Sequence, residues 1–365
     1  MSGRLLRLVG TAVVAAQAAF LPVPAMATPD PQRSVTELLT ELQRLYRQTE
    51  QATETYNATA DQLGRKRAEV GRLDAELARA RLSLHDSRRD AAQLARQQYQ
   101  GSTGLAPYVR LLLAPDPQRA LDEGHVIGLL ARERAKTVDR LESSERRQDI
   151  LVRTARKTLD AQLLLAERQQ KQRDDVRTRL DAIEKLLASL SADQLAELAR
   201  VEQDGVADAQ RKFVASGALS SALSPSEQGA RAVRYAMEQV GKPYEWGAVG
   251  PGAYDCSGLT SQAWQHAGTP IPRTSQEQWA RLARVPLNEL RPGDLVVYFP
   301  EATHVAMYLG DGKVVQAPRP GDRVKISPIA ANPILGAVRP DPKARPARQY
   351  VPENPAGPSG KRKTM

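Results

Sequence analysis

Tyr254-Asp255-Cys256-Ser257-Gly258-Leu259 contains the one cysteine of a 365-residue chain, and its neighbours decide how that cysteine is read. Leu259, Ala263, Trp264 and Ala267 fall on one face of a helix that Gly268 ends, so Cys256 belongs to the first turn. There the unpaired backbone N–H groups and the helix dipole favour a thiolate over a thiol. A cysteine kept for packing sits mid-element among apolar neighbours; this one has Asp, Ser and Gly beside it. With four scattered histidines, a lone cysteine excludes both a disulfide framework and a cysteine-based zinc site. No metal or cofactor is implied.

On the N-terminal side, Ser224-Pro225-Ser226-Glu227 has the S-x-x-E form of a capping box, with proline at the first helical position. The helix it opens buries Ala230, Val233, Met237 and Val240 and stops at Gly241. On the C-terminal side the pattern changes to short strands at 295–299, 304–309, 313–317 and a final pair, 323–327 with 335–339. Alternation puts His304, Ala306 and Tyr308 on one side. A three-residue turn with Gly312 left-handed places Gln316 opposite Ala306, on the face of His304; a two-residue turn would turn it away. A cysteine at a helix start, a histidine at a strand start and an amide on the next strand supply a nucleophile, a base and an orienter.

The surrounding residues carry a resemblance. Pro243-Tyr244-x-Trp246-Gly247, Asp255-Cys256-Ser257-Gly258-Leu259, Pro272-Arg273-Thr274-Ser275, Arg291-Pro292-Gly293-Asp294-Leu295, His304-Val305-x-x-Tyr308-x-Gly310 and Gln316-Ala317-Pro318 together resemble the NlpC-type cell-wall peptidases, a papain-like family. The likeness covers about 229–340. It implies a hydrolase acting on peptidoglycan stem peptides, typically between the γ-carboxyl of D-glutamate and the following diamino acid. It also implies Cys256 as nucleophile, His304 as base and Gln316 as third polar member, where many members have histidine. Tyr244 matches a tyrosine whose hydroxyl lies near the nucleophile and helps hold the oxyanion. Asp255 and Ser257 match positions that in some relatives bind the peptide's free amine, and they equally suit helix capping. Arg273 either holds a substrate carboxylate or pairs within the fold. Trp246 and Trp264 read as core, and His266 as a structural residue at a helix end.

N-terminal to this domain the apolar period is 3.5. From Val35 through Leu38, Leu42, Leu45, Tyr56, Leu63, Val70, Leu73, Leu77 and Leu84 to Leu94, steps of three and four alternate, which specifies a coiled-coil seam. Ser34-Val35-Thr36-Glu37 supplies its capping box. A second seam runs over 138–190. Between them Gly101, Gly104, Pro107, Pro115 and Pro117 break any continuous helix. The expected architecture is α+β: a long antiparallel coiled-coil hairpin, its first helix roughly 95 Å at 1.5 Å per residue, followed by a papain-like domain with helices packed on an antiparallel sheet. The apolar run at 108–113 reads either as a short helix folding back or as a docking site for a membrane or division-complex partner.

The remaining segments give an address and a charge balance. Residues 1–27 have Arg4 and Arg7, a short apolar stretch and Ala25-Met26-Ala27, the pattern of a secretory signal. The resulting division is signal 1–27, coiled coil 28–213, linker 214–223, peptidase domain 224–342 and a basic, Pro-rich tail 343–365 expected to be disordered. The net charge is +10. Residues 28–228 carry 32 basic against 31 acidic residues, and the tail carries six against one. Cations are not concentrated on a folded face among aromatics, so nucleic acid is not expected as a partner. The reading is a secreted, cell-wall-associated hydrolase regulated or targeted by its coil. The alternative is a coiled-coil adaptor of an envelope complex with little or no catalysis.

Overall fold

The computed structural model describes residues 34–100, 109, 112–113, 116–219 and 223–347. The expected signal at 1–27, most of the apolar run at 108–113 and the tail beyond 347 lie outside them. Helices α1 (Val35–Gln100), α2 (Pro117–Ala188) and α3 (Ala192–Ala215) come first. Helices α4 (Glu227–Glu238), α5 (Cys256–His266) and α6 (Ser275–Arg281) follow, with six strands after them. Long helices plus an antiparallel sheet are the α+β class the sequence predicts.

The chain divides into two compact units. Gln62–Arg168 form one of them. Within it the two long helices run antiparallel, Arg88 meeting Glu145 at 3.1 Å and Asp90 meeting Arg140 at 3.5 Å. Leu63, Leu77 and Leu84 of the predicted stripe are buried. Leu112 and Leu113 are exposed.

The other unit combines the described residues up to Asp61 with those from Gln169 onward. Ser34 opens α1 as expected: its Oγ accepts from the Glu37 N–H, and the Glu37 carboxylate accepts from the Ser34 N–H. Leu38 and Leu42 pack with Ile183 and Leu198. The hairpin expected over 28–213 is not made of two continuous helices. Instead a second capping box, Ser191 with Gln194, starts α3 afresh after α2 ends. The linker is accordingly shorter than 214–223, since Val214 and Ala215 still belong to α3.

The strands are β1 (Ala283–Val285), β2 (Leu295–Tyr298), β3 (His304–Gly310), β4 (Lys313–Gln316), β5 (Lys325–Pro328) and β6 (Ile334–Arg339), in spatial order β1-β6-β2-β3-β4-β5. The last two do not pair with each other as the sequence suggested. β5 joins β4, whereas β6 crosses to lie between β1 and β2. The β3–β4 register does follow expectation, with Met307 opposite Val315 and Tyr308 opposite Val314. Gly310, Asp311 and Gly312 all have positive φ (108°, 51° and 67°), which the turn and its bulge require.

Alternation buries both faces of the sheet. Leu295, Val297, Val305, Met307 and Val315 pack with α4 and α5 residues, among them the fully buried Trp264. Val296, Ala306, Tyr308 and Val314 pack on the other side with Phe213 of α3. The N-cap of α4 is Ser226, two residues later than predicted, its Oγ accepting from the Gly229 N–H at 2.8 Å. The tail begins later than predicted too. Ala347 donates its N–H to the Pro225 carbonyl at 2.7 Å, and Pro346 bridges to Ser226, so 343–347 are part of the fold.

Candidate active site

Cys256 is the first residue of α5, and Asp255 is its N-cap, with a carboxylate accepting from the Gly258 N–H at 2.6 Å. The capping motif leaves no room for a side chain at 258: a Cβ there would meet the Ala248 carbonyl oxygen at 2.2 Å. Helix α5 packs on β3, and the backbone of Val305, next to His304, acts to lower the Cys256 thiol. His304 is buried, with Nε2 2.7 Å from Gln316 Oε1. An amide oxygen only accepts, so the imidazole proton sits on Nε2 and the lone pair on Nδ1. That Nδ1 is buried and has no hydrogen-bond partner. Tyr244 is buried in the same core cluster as Cys256. Burial lifts its hydroxyl well above the usual tyrosine range, and the neighbouring Cys256, Asp255, Glu50 and Glu54 charges act the same way.

The three expected substrate-binding residues are also together. Arg273 donates to both Asp255 oxygens at 3.0 and 2.6 Å and to Ser257 Oγ at 2.9 Å. Asp255 therefore caps α5, and Arg273 pairs with it inside the fold. Trp264 is core, with Nε1 donating to the Gly293 carbonyl at 3.1 Å. Trp246 is only half-buried, and its ring meets Tyr56 of α1 edge-on at 4.8 Å. His266 stacks on Tyr235 at the end of α5, away from this cluster.

Sequence reasoning missed what fills the cleft. About two turns of α1 lie in it, with Glu50, Thr53, Glu54 and Asn57 all buried. Glu54 Oε1 accepts from Ser257 Oγ at 2.7 Å and from the Cys256 thiol at 3.9 Å, and Oε2 accepts from the Ser275 N–H at 2.8 Å. Asn57 donates to Asp255 at 3.0 Å. Glu50 Oε1 is 3.6 Å from His304 Nδ1. These positions fall beside the apolar seam and look like a solvated helix face. One signal was present: no Lys or Arg occurs between Arg47 and Arg65, a gap without parallel elsewhere in the long helices.

Residues 241–336 match the model of the NlpC/P60 family. This segment is an NlpC/P60 domain. A probable endopeptidase of Corynebacterium glutamicum is 45% identical over 103 residues, 28% of this chain and 49% of that protein. Peptidoglycan endopeptidase RipA of Mycolicibacterium smegmatis is 34% identical over 163 residues, 39% of this chain and 32% of that one. Among solved structures, the NlpC/p60 domain of the peptidoglycan hydrolase SagA is 32% identical, covering 30% of this chain and 97% of that domain with a TM-score of 0.29. The match spans about half or less of these curated relatives' own length.

The electrostatics of the NlpC/P60 domain differ from the expected thiolate. Burial pushes the Cys256 thiol well above its ordinary value, and the carboxylates of Glu54, Asp255 and Glu50 push the same way. Burial pulls His304 down to about 4, against the support of Gln316. The helix N-terminus does favour the thiolate, but desolvation under α1, the largest influence, and the Asp255 charge outweigh it. With α1 in place both shifts favour the uncharged forms, a thiol at Cys256 and a neutral imidazole at His304. Among the described residues no group of His, Cys, Asp and Glu side chains is arranged to hold a metal ion.

A second contact fastens the helices to the domain. Arg319, three residues beyond Gln316, donates to Glu202 of α3 at 2.6 and 2.8 Å, and its guanidinium lies over the Tyr46 ring at 4.7 Å. The pair is partly exposed, so solvent screening discounts it. Glu202→Ala is expected to cost about 1–2 kcal/mol, read as a lower denaturant midpoint at unchanged slope.

Proposed function

We infer that this chain is an exported peptidoglycan hydrolase that cuts a stem-peptide bond, between the γ-carboxyl of D-glutamate and the following diamino acid. The observation that supports the reading is the His304–Gln316 hydrogen bond, which leaves a buried, unpartnered Nδ1 at the start of the strand on which the Cys256 helix packs. With the cleft open, Nδ1 takes the thiol proton and the sulfur adds to the γ-carbonyl carbon. The oxyanion is held by the Cys256 backbone N–H and the Tyr244 hydroxyl. The imidazolium then protonates the leaving amine, and the C–N bond breaks to give an acyl-enzyme. Water, deprotonated by the same imidazole, releases the new γ-carboxylate and restores the thiol. Asp255, Ser257 and Arg273 line the side of the cleft that receives the peptide's amine and carboxylate groups.

The helical region regulates this site. Glu54 and Asn57 use the hydrogen bonds of Ser257, Ser275 and Asp255 that a substrate would need. Turnover therefore requires that segment to leave, and an envelope or division-complex protein bound to the helices is the kind of partner that would withdraw it.

The test is digestion of purified muropeptides, with products identified by mass spectrometry. A new free amine on the diamino acid supports the reading, and prior alkylation of the one cysteine should remove the activity. Products carrying any other new terminus, or hydrolysis that survives alkylation, would overturn it. Gln316→Ala is expected to lower kcat/KM about 10–100-fold, because the imidazole loses the partner that fixes its tautomer. Gln316→His should recover most of that loss.

A filled cleft and a protonated thiol also favour a second reading, an adaptor with little catalysis of its own. A chain that cuts no muropeptide even after α1 is displaced would establish it.

A further inference from the structure

We propose that the α1 segment is a proton-sealed plug: Glu50 and Glu54 enter the cleft as neutral acids, and alkaline conditions drive the segment out. The proposal deepens the regulatory part of the function inferred above. Only its consequence for turnover rests on Cys256 being a nucleophile.

The argument starts from the charges that face the two acids. From α1 itself come Arg47 and the neutral Asn57. The α5 end contributes Asp255 and Cys256, and Tyr244 lies beside them. Arg273 approaches from the loop before α6, His304 from β3 and Arg319 from the loop after β4. The two cations nearest the cleft are committed elsewhere, Arg273 to Asp255 at 2.6 Å and Arg319 to Glu202 at 2.6 Å. Ionised, Glu50 and Glu54 would add two charges to a pocket that already holds the Asp255 carboxylate. Buried ionised carboxylates without a paired cation are strongly disfavoured.

The hydrogen bonding points the same way. Glu50 Oε2 and His304 Nδ1 are both buried and unpartnered. A carboxylate and the lone pair of a neutral imidazole have nothing to share, since both only accept. A protonated Glu50 supplies a hydrogen, and Glu50 Oε1 is already 3.6 Å from that lone pair. Glu54 fits as an acid as well. With its proton on Oε1 the 2.7 Å contact reverses, Glu54 donating to Ser257 Oγ, whose own hydrogen turns to Asp255 Oδ1 at 3.4 Å.

Burial, then the Asp255 charge, raises the Glu54 acid to about 7, and burial lifts Glu50 well above its ordinary value. Once released into solvent, both acids return to the ordinary glutamate range. A group whose value is higher in the docked state favours docking fully at low pH and loses that contribution as pH rises through the docked value. For Glu54 alone this weakens docking about thirtyfold from pH 5.5 to 8.5. Glu50 adds in the same direction.

The experiment uses the whole chain and the reactivity of its one cysteine. Iodoacetamide alkylation of Cys256 is followed by intact mass from pH 5.5 to 8.5, for the native chain and for Glu50→Gln/Glu54→Gln. The glutamines keep the shape and hydrogen-bonding capacity of neutral acids and do not ionise. The ratio of native to variant rate cancels the ordinary ionisation of the thiol. That ratio is expected to rise about thirtyfold or more across the range. A flat ratio, or a variant alkylated faster than the native chain at pH 8.5, overturns the proposal. Should the variant fail to fold, hydrogen exchange of residues 45–60 in the native chain decides it. Their protection, corrected for intrinsic rate, is expected to fall with pH, and constant protection overturns the plug. Neither readout needs hydrolysis, so a chain that cuts no muropeptide leaves this test intact.

Discussion

Cys256→Ala is expected to abolish hydrolysis of stem peptides, and His304→Gln to lower kcat/KM at least a thousandfold. The alanine removes the only atom able to form the acyl-enzyme, and no second thiol exists in the chain. The glutamine fills most of the space of a ring that is buried and lies 5.7 Å from Tyr298, so packing survives while the base is lost. His304→Ala would mix that loss with a cavity. The two residues act on the same proton, hence the double variant should fall no further than the cysteine variant alone. Steady-state rates on muropeptides, with cooperative thermal unfolding as the control for folding, test this. A His304→Gln chain retaining a tenth of the native rate would remove the histidine from the mechanism.

Much of this was legible because the signals are local. Cys256 announces itself by the cap before it and the apolar face behind it, all within a dozen residues. The β3–β4 register was readable because Gly310-Asp311-Gly312 can adopt the positive φ values that one turn length needs. The stripe Leu38, Leu42, Leu63, Leu77 and Leu84 was readable because burial of leucine repeats with the helix. Partners far apart in sequence were not. β6 pairs with β1 and β2 rather than with β5, its neighbour in the sequence, and a three-residue strand such as β1 has no periodicity to detect.

The polar face of α1 was the largest omission, and its cause is physical. Hydrophobic patterning finds surfaces that bury apolar groups, whereas Glu50, Thr53, Glu54 and Asn57 are buried against a polar cleft. Glu54 and Ser257 are 203 residues apart, so nothing in the local spacing of either predicts the other. The same omission explains the error in the thiol. A helix N-terminus was weighed against solvent, but the sulfur sits in a desolvated site with three acidic side chains near it.

That polar face supplies the other large effect. Asn57→Asp is expected to expel the segment and raise both Cys256 alkylation and hydrolysis at least tenfold. Asn57 now donates to Asp255 Oδ2 at 3.0 Å. Aspartate in its place removes the donor and sets two carboxylates at hydrogen-bond distance. Losing a hydrogen bond to a charged partner and gaining like-charge repulsion should together cost about 3 kcal/mol or more. That is over a hundredfold in the docking equilibrium, and the visible gain is capped once the cleft is fully open. Asp255 has other donors for its charge, Arg273 and the N–H groups of Gly247 and Gly258, so α5 and its cap should survive. Protonation of the new aspartate would relieve the clash, so the activation should fade toward pH 5. An effect on the thiol alone would leave the ratio of substituted to native rate constant, because both chains would slow together. An Asn57→Asp chain that stays folded and reacts with iodoacetamide at the native rate at pH 7 would show that α1 does not guard Cys256.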